Sequence, residues 1–243
     1  MTRTVDPILE GLLRQILSMG SLAEAILDKA LRSLDQLDSV LASEVQRDDL
    51  AIDQLDVKID TAVLKALALQ APVAEELRQV IAIKTIAIYL ERVGDLARNI
   101  AKSSTRLAAS SELPVPAGIG QLGSAVQRHL RLALDAFSNQ DADRARQVLE
   151  ADDAVDDLQD ELVRAQIEEL KADPERASQH IDLILISEHL ERVGDHATNI
   201  AEDVILVAKA ENVKHLEKLG TPRAAGLGRC EVRDGDDSSS QTG

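Results

Sequence analysis

LERVGDLARNIA, residues 90–101, recurs as LERVGDHATNIA, residues 190–201, with ten identical residues at a constant offset of 100. The segment before each copy matches as well, since DLAID (49–53) aligns with DDAVD (152–156). Apolar residues recur at three- and four-residue intervals through both halves, which is typical of amphipathic helices. The sequence therefore predicts the internal duplication of one helical unit.

Breaks in the apolar pattern divide the first half into three helices. A long helix carries the apolar positions from Leu9 to Leu37. Asp38 is predicted to cap a second helix, because a side-chain oxygen at that position accepts hydrogen bonds from free backbone N–H groups. Pro72 ends this helix, since proline cannot continue one. A third helix is predicted over about 73–110.

The second half repeats this order. The stretch 111–123 is rich in Pro and Gly and predicts a linker. A fourth helix is expected to end near Asn139, and Asp141 is predicted to cap a fifth, continuous through Leu162. Asp173 followed by Pro174 predicts the start of a sixth helix, which reaches about residue 210.

These patterns predict an all-α fold of two tandem three-helix bundles related by internal duplication. We place the first bundle at 1–112, the linker at 113–121 and the second bundle at 122–215. Residues 216–243 are rich in Gly, Ser and Asp and are predicted to form a disordered tail.

Composition excludes several function classes. The net charge of -16 repels phosphate backbones, and an aromatic content of 1% provides no stacking platform, so nucleic acid is not an expected partner. The only cysteine, Cys230, excludes a disulfide framework. The chain has no glycine-rich nucleotide loop and no nucleophile motif, so we expect neither an organic cofactor nor an enzyme. No apolar run is long enough to span a membrane, and we expect a cytoplasmic protein.

Rows of carboxylates are the candidate site. On the third helix of each half, an acidic pair is spaced four residues apart, and a second pair on the preceding helix has the same spacing. Like charges at this spacing destabilise a helix by about 0.2–0.5 kcal/mol per pair, so the rows favour a compensating cation such as Mg²⁺, Mn²⁺ or iron. The eight residues are Asp49, Asp53, Glu91, Asp95, Asp152, Asp156, Glu191 and Asp195.

A different interpretation stays open for these rows. Arg92 and Arg192 lie three residues before Asp95 and Asp195, so intrahelical ion pairs on a solvated face would also explain them. His196 is expected to point away from the acidic row as a polar surface residue. The mid-helix glycines at 94 and 194 indicate either close approach of a neighbouring backbone or simply tolerated packing.

The paired motif resembles the PhoU family of bacterial phosphate-transport regulators, over roughly residues 5–215. Residues 17–20 (LSMG) and 83–86 (IKTI) are also similar to that family. The resemblance implies that the eight carboxylates bind multinuclear clusters of iron, zinc or manganese. It also implies a cytoplasmic negative regulator of the phosphate-starvation response, which controls phosphate uptake and homeostasis.

The same resemblance implies specific partners. The protein would be a homodimer and an adaptor between the ATPase of a high-affinity phosphate ABC transporter and a sensor histidine kinase. Its association with the membrane would run only through these partners. Two other readings remain: a purely structural helical scaffold, and a carboxylate-metal protein or enzyme with another role. The absence of any Glu-x-x-His pair disfavours a di-iron enzyme.

Overall fold

The computed structural model describes residues 7–110 and 114–214, and these residues form helices and no strand. The all-α prediction is confirmed. The predicted tail at 216–243 lies outside the described residues. The described residues contain seven α-helices, with a short 3₁₀ turn at Pro174–Arg176 before the last: α1 Pro7–Asp35, α2 Ser39–Gln70, α3 Glu75–Ser110, α4 Ala117–Asn139, α5 Ala142–Glu150, α6 Asp152–Ala172 and α7 Ala177–Lys209.

Local capping chemistry fixes the helix starts that the sequence indicates. Asp38 Oδ1 accepts hydrogen bonds from the backbone nitrogens of Val40 (2.8 Å) and Leu41 (3.0 Å), so α2 begins at the predicted place. Asp141 caps α5 in the same way through residues 143 and 144. α2 ends before Pro72, where Ala71 takes the left-handed conformation with φ 43°.

Three boundaries differ from the prediction. The fifth helix is divided at Ala151 into α5 and α6, because the acidic residues at 152 and 153 are favourable in the first turn of a new helix. α4 begins at Ala117, inside the predicted linker, since Ile119 is buried and continues the apolar face of that helix. The last helix starts at Ala177, after the 3₁₀ turn that begins at Pro174.

The two bundles pack back to back through their motif helices. α1, α2 and α3 contact one another, as do α4, α6 and α7, and α3 lies against α7. The two helices run antiparallel: Arg106, near the end of α3, pairs with Asp182, near the start of α7. Arg106 Nε lies 2.9 Å and 3.1 Å from the two Asp182 oxygens. One continuous apolar core therefore joins the bundles.

Candidate functional site

In the first bundle, an arginine lies between the predicted carboxylates. Asp49 on α2 faces Asp95 on α3, and Arg98 Nη1 lies 2.7 Å from Asp49 Oδ2. Arg98 also donates a hydrogen bond to Asp95 Oδ1. The Asp49 side chain is only 1% exposed, so its charge depends on this guanidinium.

Electrostatics at Asp49 and Glu91 reflect burial more than any other cause. Burial raises the pKa of Asp49, the Arg98 guanidinium opposes the rise, and the neighbouring acids at 53 and 95 add to it. Burial and then Asp95 raise the pKa of Glu91, against the attraction of Arg92. Asp53 is exposed on α2. Arginine therefore supplies compensating charge for Asp49, Glu91 and Asp95.

A neighbouring acidic group in the same bundle is also neutralised by a basic side chain. Asp56 and Asp60 continue the row along α2, and Lys84 on α3 forms ion pairs with both. The Nζ–Oδ1 separation to Asp56 is 3.7 Å. Ion pairs thus absorb much of the charge in the first bundle, as one of the two interpretations predicts, but Asp49 is buried rather than on a solvated face.

The second bundle keeps the same four carboxylate positions without an arginine at position 198. Thr198 occupies that place, and its Oγ1 donates a hydrogen bond to Asp152 Oδ1 at 2.9 Å. Asp152 is the first residue of α6, and Asp156 follows one turn later. Glu191 and Asp195 lie on α7; Glu191 is half-buried, whereas Asp156 and Asp195 are exposed.

Of the four carboxylates in the second bundle, Glu191 has the most strongly raised pKa. Burial raises its pKa to about 7, and the carboxylates of Asp195, Asp156 and Glu188 add to the rise. Arg192 opposes the rise, but its effect is smaller than each of these. Burial, then Asp152 and Asp195, also raises the pKa of Asp156. A group of carboxylates whose charges disfavour one another in this way attracts cations.

The two bundles differ in the charges that would surround a metal ion. The second quartet provides only oxygen donors, from two helices, which suits Mg²⁺, Mn²⁺ or iron. The first has a guanidinium where a metal ion would compensate the charge. In residues 7–110 and 114–214, as their side chains lie, no three acidic, histidine or cysteine side chains converge closely enough to hold a metal ion.

The structure corrects the expectation for His196. Its ring stacks on Tyr89 of α3, with ring centroids 5.7 Å apart and planes at 21°. Both ring nitrogens are buried and have no hydrogen-bond partner among the described residues. Burial, then Arg192 and Arg92, lowers its pKa to about 4. His196 is thus part of the packing between the bundles rather than a surface residue.

Sequence reasoning missed Arg98 and Thr198. Both lie inside the repeated motif. The two copies differ at only two positions, 98/198 (Arg and Thr) and 96/196 (Leu and His). The identical residues of the motif include the acids, whereas the residues that differ between the copies indicate how each copy balances its charge.

Comparison with known proteins gives a consistent result. The family model described as the PhoU domain matches residues 16–104 and 119–204. A phosphate-specific transport system accessory protein PhoU homolog from Pseudomonas aeruginosa is 36% identical over 209 residues, which are 86% of each chain. The homolog of the same name from Zymomonas mobilis is 36% identical over 87% of this chain and 89% of its own.

Two crystal structures share the fold. PhoU from Pseudomonas aeruginosa superposes with a TM-score of 0.82 and 36% identity, covering 84% of this chain and 98% of the other. The phosphate transport system regulatory protein PhoU from Streptococcus pneumoniae gives a TM-score of 0.79 and 30% identity, covering 84% and 97%. No helix in the described ranges is both long enough and apolar enough to cross a membrane.

Proposed function

This chain belongs to the PhoU family, and we propose that it regulates phosphate uptake as an accessory protein of a phosphate-specific transport system. The observation that carries the proposal is the extent of the match. The family domain occurs twice, once over each copy of the LERVGD motif, and the similarity spans nearly the full length of the two solved relatives. Both bundles of the relatives therefore have counterparts here.

The finer part of the proposal is that the protein is a cytoplasmic negative regulator that acts by contact and catalyses no reaction. As a homodimeric adaptor, it would relay the state of the phosphate transporter ATPase to a sensor histidine kinase. The described surface offers a feature suited to such contacts. On α2, Leu50, Val57 and Leu64 recur every seven residues and are 58%, 65% and 67% exposed. Exposed apolar residues in a row commonly mark protein-contact surfaces.

A deletion strain tests the regulatory role. In high phosphate, alkaline phosphatase and other starvation genes should switch on when the gene is removed and switch off when it is restored. Restoration with Leu50, Val57 and Leu64 all changed to Ser should fail, because the contact row is lost. A matched variant loses three other exposed apolar residues, Val40, Leu69 and Val73, and should restore repression.

Capture of the transporter ATPase and the kinase at low and high salt adds a direct measurement. An acidic protein should retain basic partner surfaces better at low salt, since salt screens exposed charges. Starvation genes that stay repressed in the deletion strain, together with no partner retained at low salt, would refute the regulatory proposal.

We further propose that the second bundle binds metal through Asp152, Asp156, Glu191 and Asp195. Their oxygen-only donor set and the raised pKa of Glu191 support this. When bound, the metal would supply positive charge and link α6 to α7. Asp195→Asn keeps the side-chain size but removes charge, so bound metal measured by elemental analysis should fall. Asp160→Asn, on α6 outside the quartet and paired with Arg164, is the control that should leave metal content unchanged.

A further inference from the structure

Because the two bundles are copies, each charge in one bundle can be compared with its counterpart in the other. Lys84 pairs with Asp56 and Asp60 in the first bundle. At the motif offset of 100, Lys84 corresponds to Ile184, and at the α2–α6 offset of 103 the two acids correspond to Gln159 and Val163. The cation and both of its acidic partners are therefore absent together from the second bundle.

The Arg106–Asp182 ion pair, which joins the two bundles, follows the same pattern. Arg106 pairs with Asp182, whose side chain is 10% exposed. The counterparts of these residues are Leu206 and Ala82, so both charges are again missing from the copy. A buried or half-buried charge without its partner is costly, which fits the absence of both members of each pair from the other copy.

Arg98 is the exception to this pattern. Its counterpart, Thr198, is neutral, yet the counterparts of both acids that Arg98 contacts, Asp152 and Asp195, are retained in the second bundle. In the first bundle, Arg98 contacts Asp49 and Asp95 from two different helices. Gly94 leaves the space for this arrangement, since a Cβ at that residue would lie 2.6 Å from Asp49 Oδ1.

We propose that Arg98 is an internal counter-ion that takes the place of metal in the first bundle, so that the carboxylates of this bundle do not bind metal. A guanidinium is always protonated and is tethered beside the acids. A divalent cation could reach these carboxylates only by displacing the guanidinium. The two positive charges would then still lie close together. The proposal rests on the metal binding proposed for the second bundle and restricts metal to that bundle.

The first experiment compares two single variants with the wild-type protein. Asp95→Asn and Asp195→Asn proteins are titrated with Mn²⁺, and bound Mn²⁺ per chain is measured by elemental analysis after dialysis. Asp195→Asn should lose the bound Mn²⁺ of the wild type, whereas Asp95→Asn should retain it. Loss in Asp95→Asn comparable to that in Asp195→Asn would overturn the proposal, because the first bundle would then bind metal beside Arg98.

The second experiment exchanges the two motif residues. Arg98→Thr should acquire Mn²⁺ binding in the first bundle and roughly double the bound Mn²⁺, since Asp49 and Asp95 lose the cation that links them. Thr198→Arg should lower Mn²⁺ affinity by at least ~10-fold, because a fixed positive charge enters the second quartet. Arg92→Thr is the matched control: it removes an equal charge beside Glu91 and Asp95, where Arg92 lies 3.4 Å and 3.5 Å away, and should add no site.

The outcomes separate the two proposals. Mn²⁺ bound by Arg98→Thr but not by the wild type would support the role of Arg98 and refute the proposed metal site of the second bundle. No gain in Arg98→Thr, with helicity retained in circular dichroism, would overturn the role of Arg98. If Arg98→Thr does not fold, Arg98→Gln keeps hydrogen-bonding capacity without charge and is judged by the same criterion. The starvation-gene assay of the deletion strain reports on the regulatory function independently of either result.

Discussion

Gly94 and Gly194 occupy equivalent positions in the two motifs, yet alanine should have opposite effects at these positions. A Cβ at Gly94 would lie 2.6 Å from Asp49 Oδ1 and 3.0 Å from Ile52 Cδ1, which is too close for either atom to stay in place. A Cβ at Gly194 would meet Val155 Cγ1 at 3.4 Å, an ordinary van der Waals distance. The close neighbours of Gly94 are side chains of α2 rather than its backbone.

The magnitudes follow from two competing terms. Replacing a mid-helix glycine by alanine contributes about 1 kcal/mol to helix stability at either site. At Gly94 the added methyl overpacks the core, which costs about 1–3 kcal/mol. It also pushes the 1%-exposed Asp49 carboxylate from its place beside Arg98, and disrupting a buried ion pair costs as much as about 3 kcal/mol. We expect Gly94→Ala to lower the free energy of unfolding by about 2 kcal/mol and Gly194→Ala to raise it by about 0.5–1 kcal/mol.

Urea unfolding followed by circular dichroism measures this difference. The two variants should shift the midpoint in opposite directions with an unchanged dependence on urea, which would mean that only stability has changed. In an Arg98→Thr background, Gly94→Ala should lower the free energy of unfolding by less than it does in the wild type, because the ion pair is already absent. Equal stability of Gly94→Ala and Gly194→Ala would refute the argument that Asp49 needs the space beside Gly94.

Three further predictions concern other parts of the fold. Arg106→Gln should destabilise the protein by about 1–3 kcal/mol in thermal unfolding, because Asp182 stays buried without its cation, and a loss within error would contradict this. Asp141→Ala should cost about 1 kcal/mol through the lost cap of α5, whereas Asp143→Ala, also at the start of α5 but not its cap, should cost clearly less. Glu191 has a folded pKa of about 7 against 4.5, so stability of the metal-free protein should fall as pH rises through this interval. Glu191→Gln should flatten that fall between about pH 4.5 and pH 7; an unchanged slope would rule Glu191 out as its source.

The helices were predictable because their determinants are local. Asp38 and Asp141 cap through backbone nitrogens two and three residues away, and Pro72 acts on its own helix, so a single sequence contains these interactions. The division at Ala151 was not predicted, since the apolar period continues through it. The acidic residues 152 and 153 favour the break, because negative side chains stabilise the first turn of the new helix α6.

The candidate site was predictable only in part, for a corresponding reason. Carboxylate spacing within a helix is visible in sequence, but Arg98 neutralises Asp49 across two helices, and His196 is covered by Tyr89 of the other bundle. Such contacts depend on how helices pack. Comparison of the two copies would have recovered part of this information, because 98/198 and 96/196 are the positions where the motif differs.

An internal cation and a bound cation differ in one thermodynamic respect: only the bound one depends on its free concentration. Arg98 compensates the charges of Asp49 and Asp95 at any metal level, whereas a metal on the second quartet would add stability that grows with the logarithm of its concentration. That stability would act on α6, whose first residue, Asp152, belongs to the quartet, and on α7, which packs against α3. Under the proposed arrangement, metal supply therefore changes the stability of the second bundle, while the ion pairs of Arg98 in the first bundle do not depend on it.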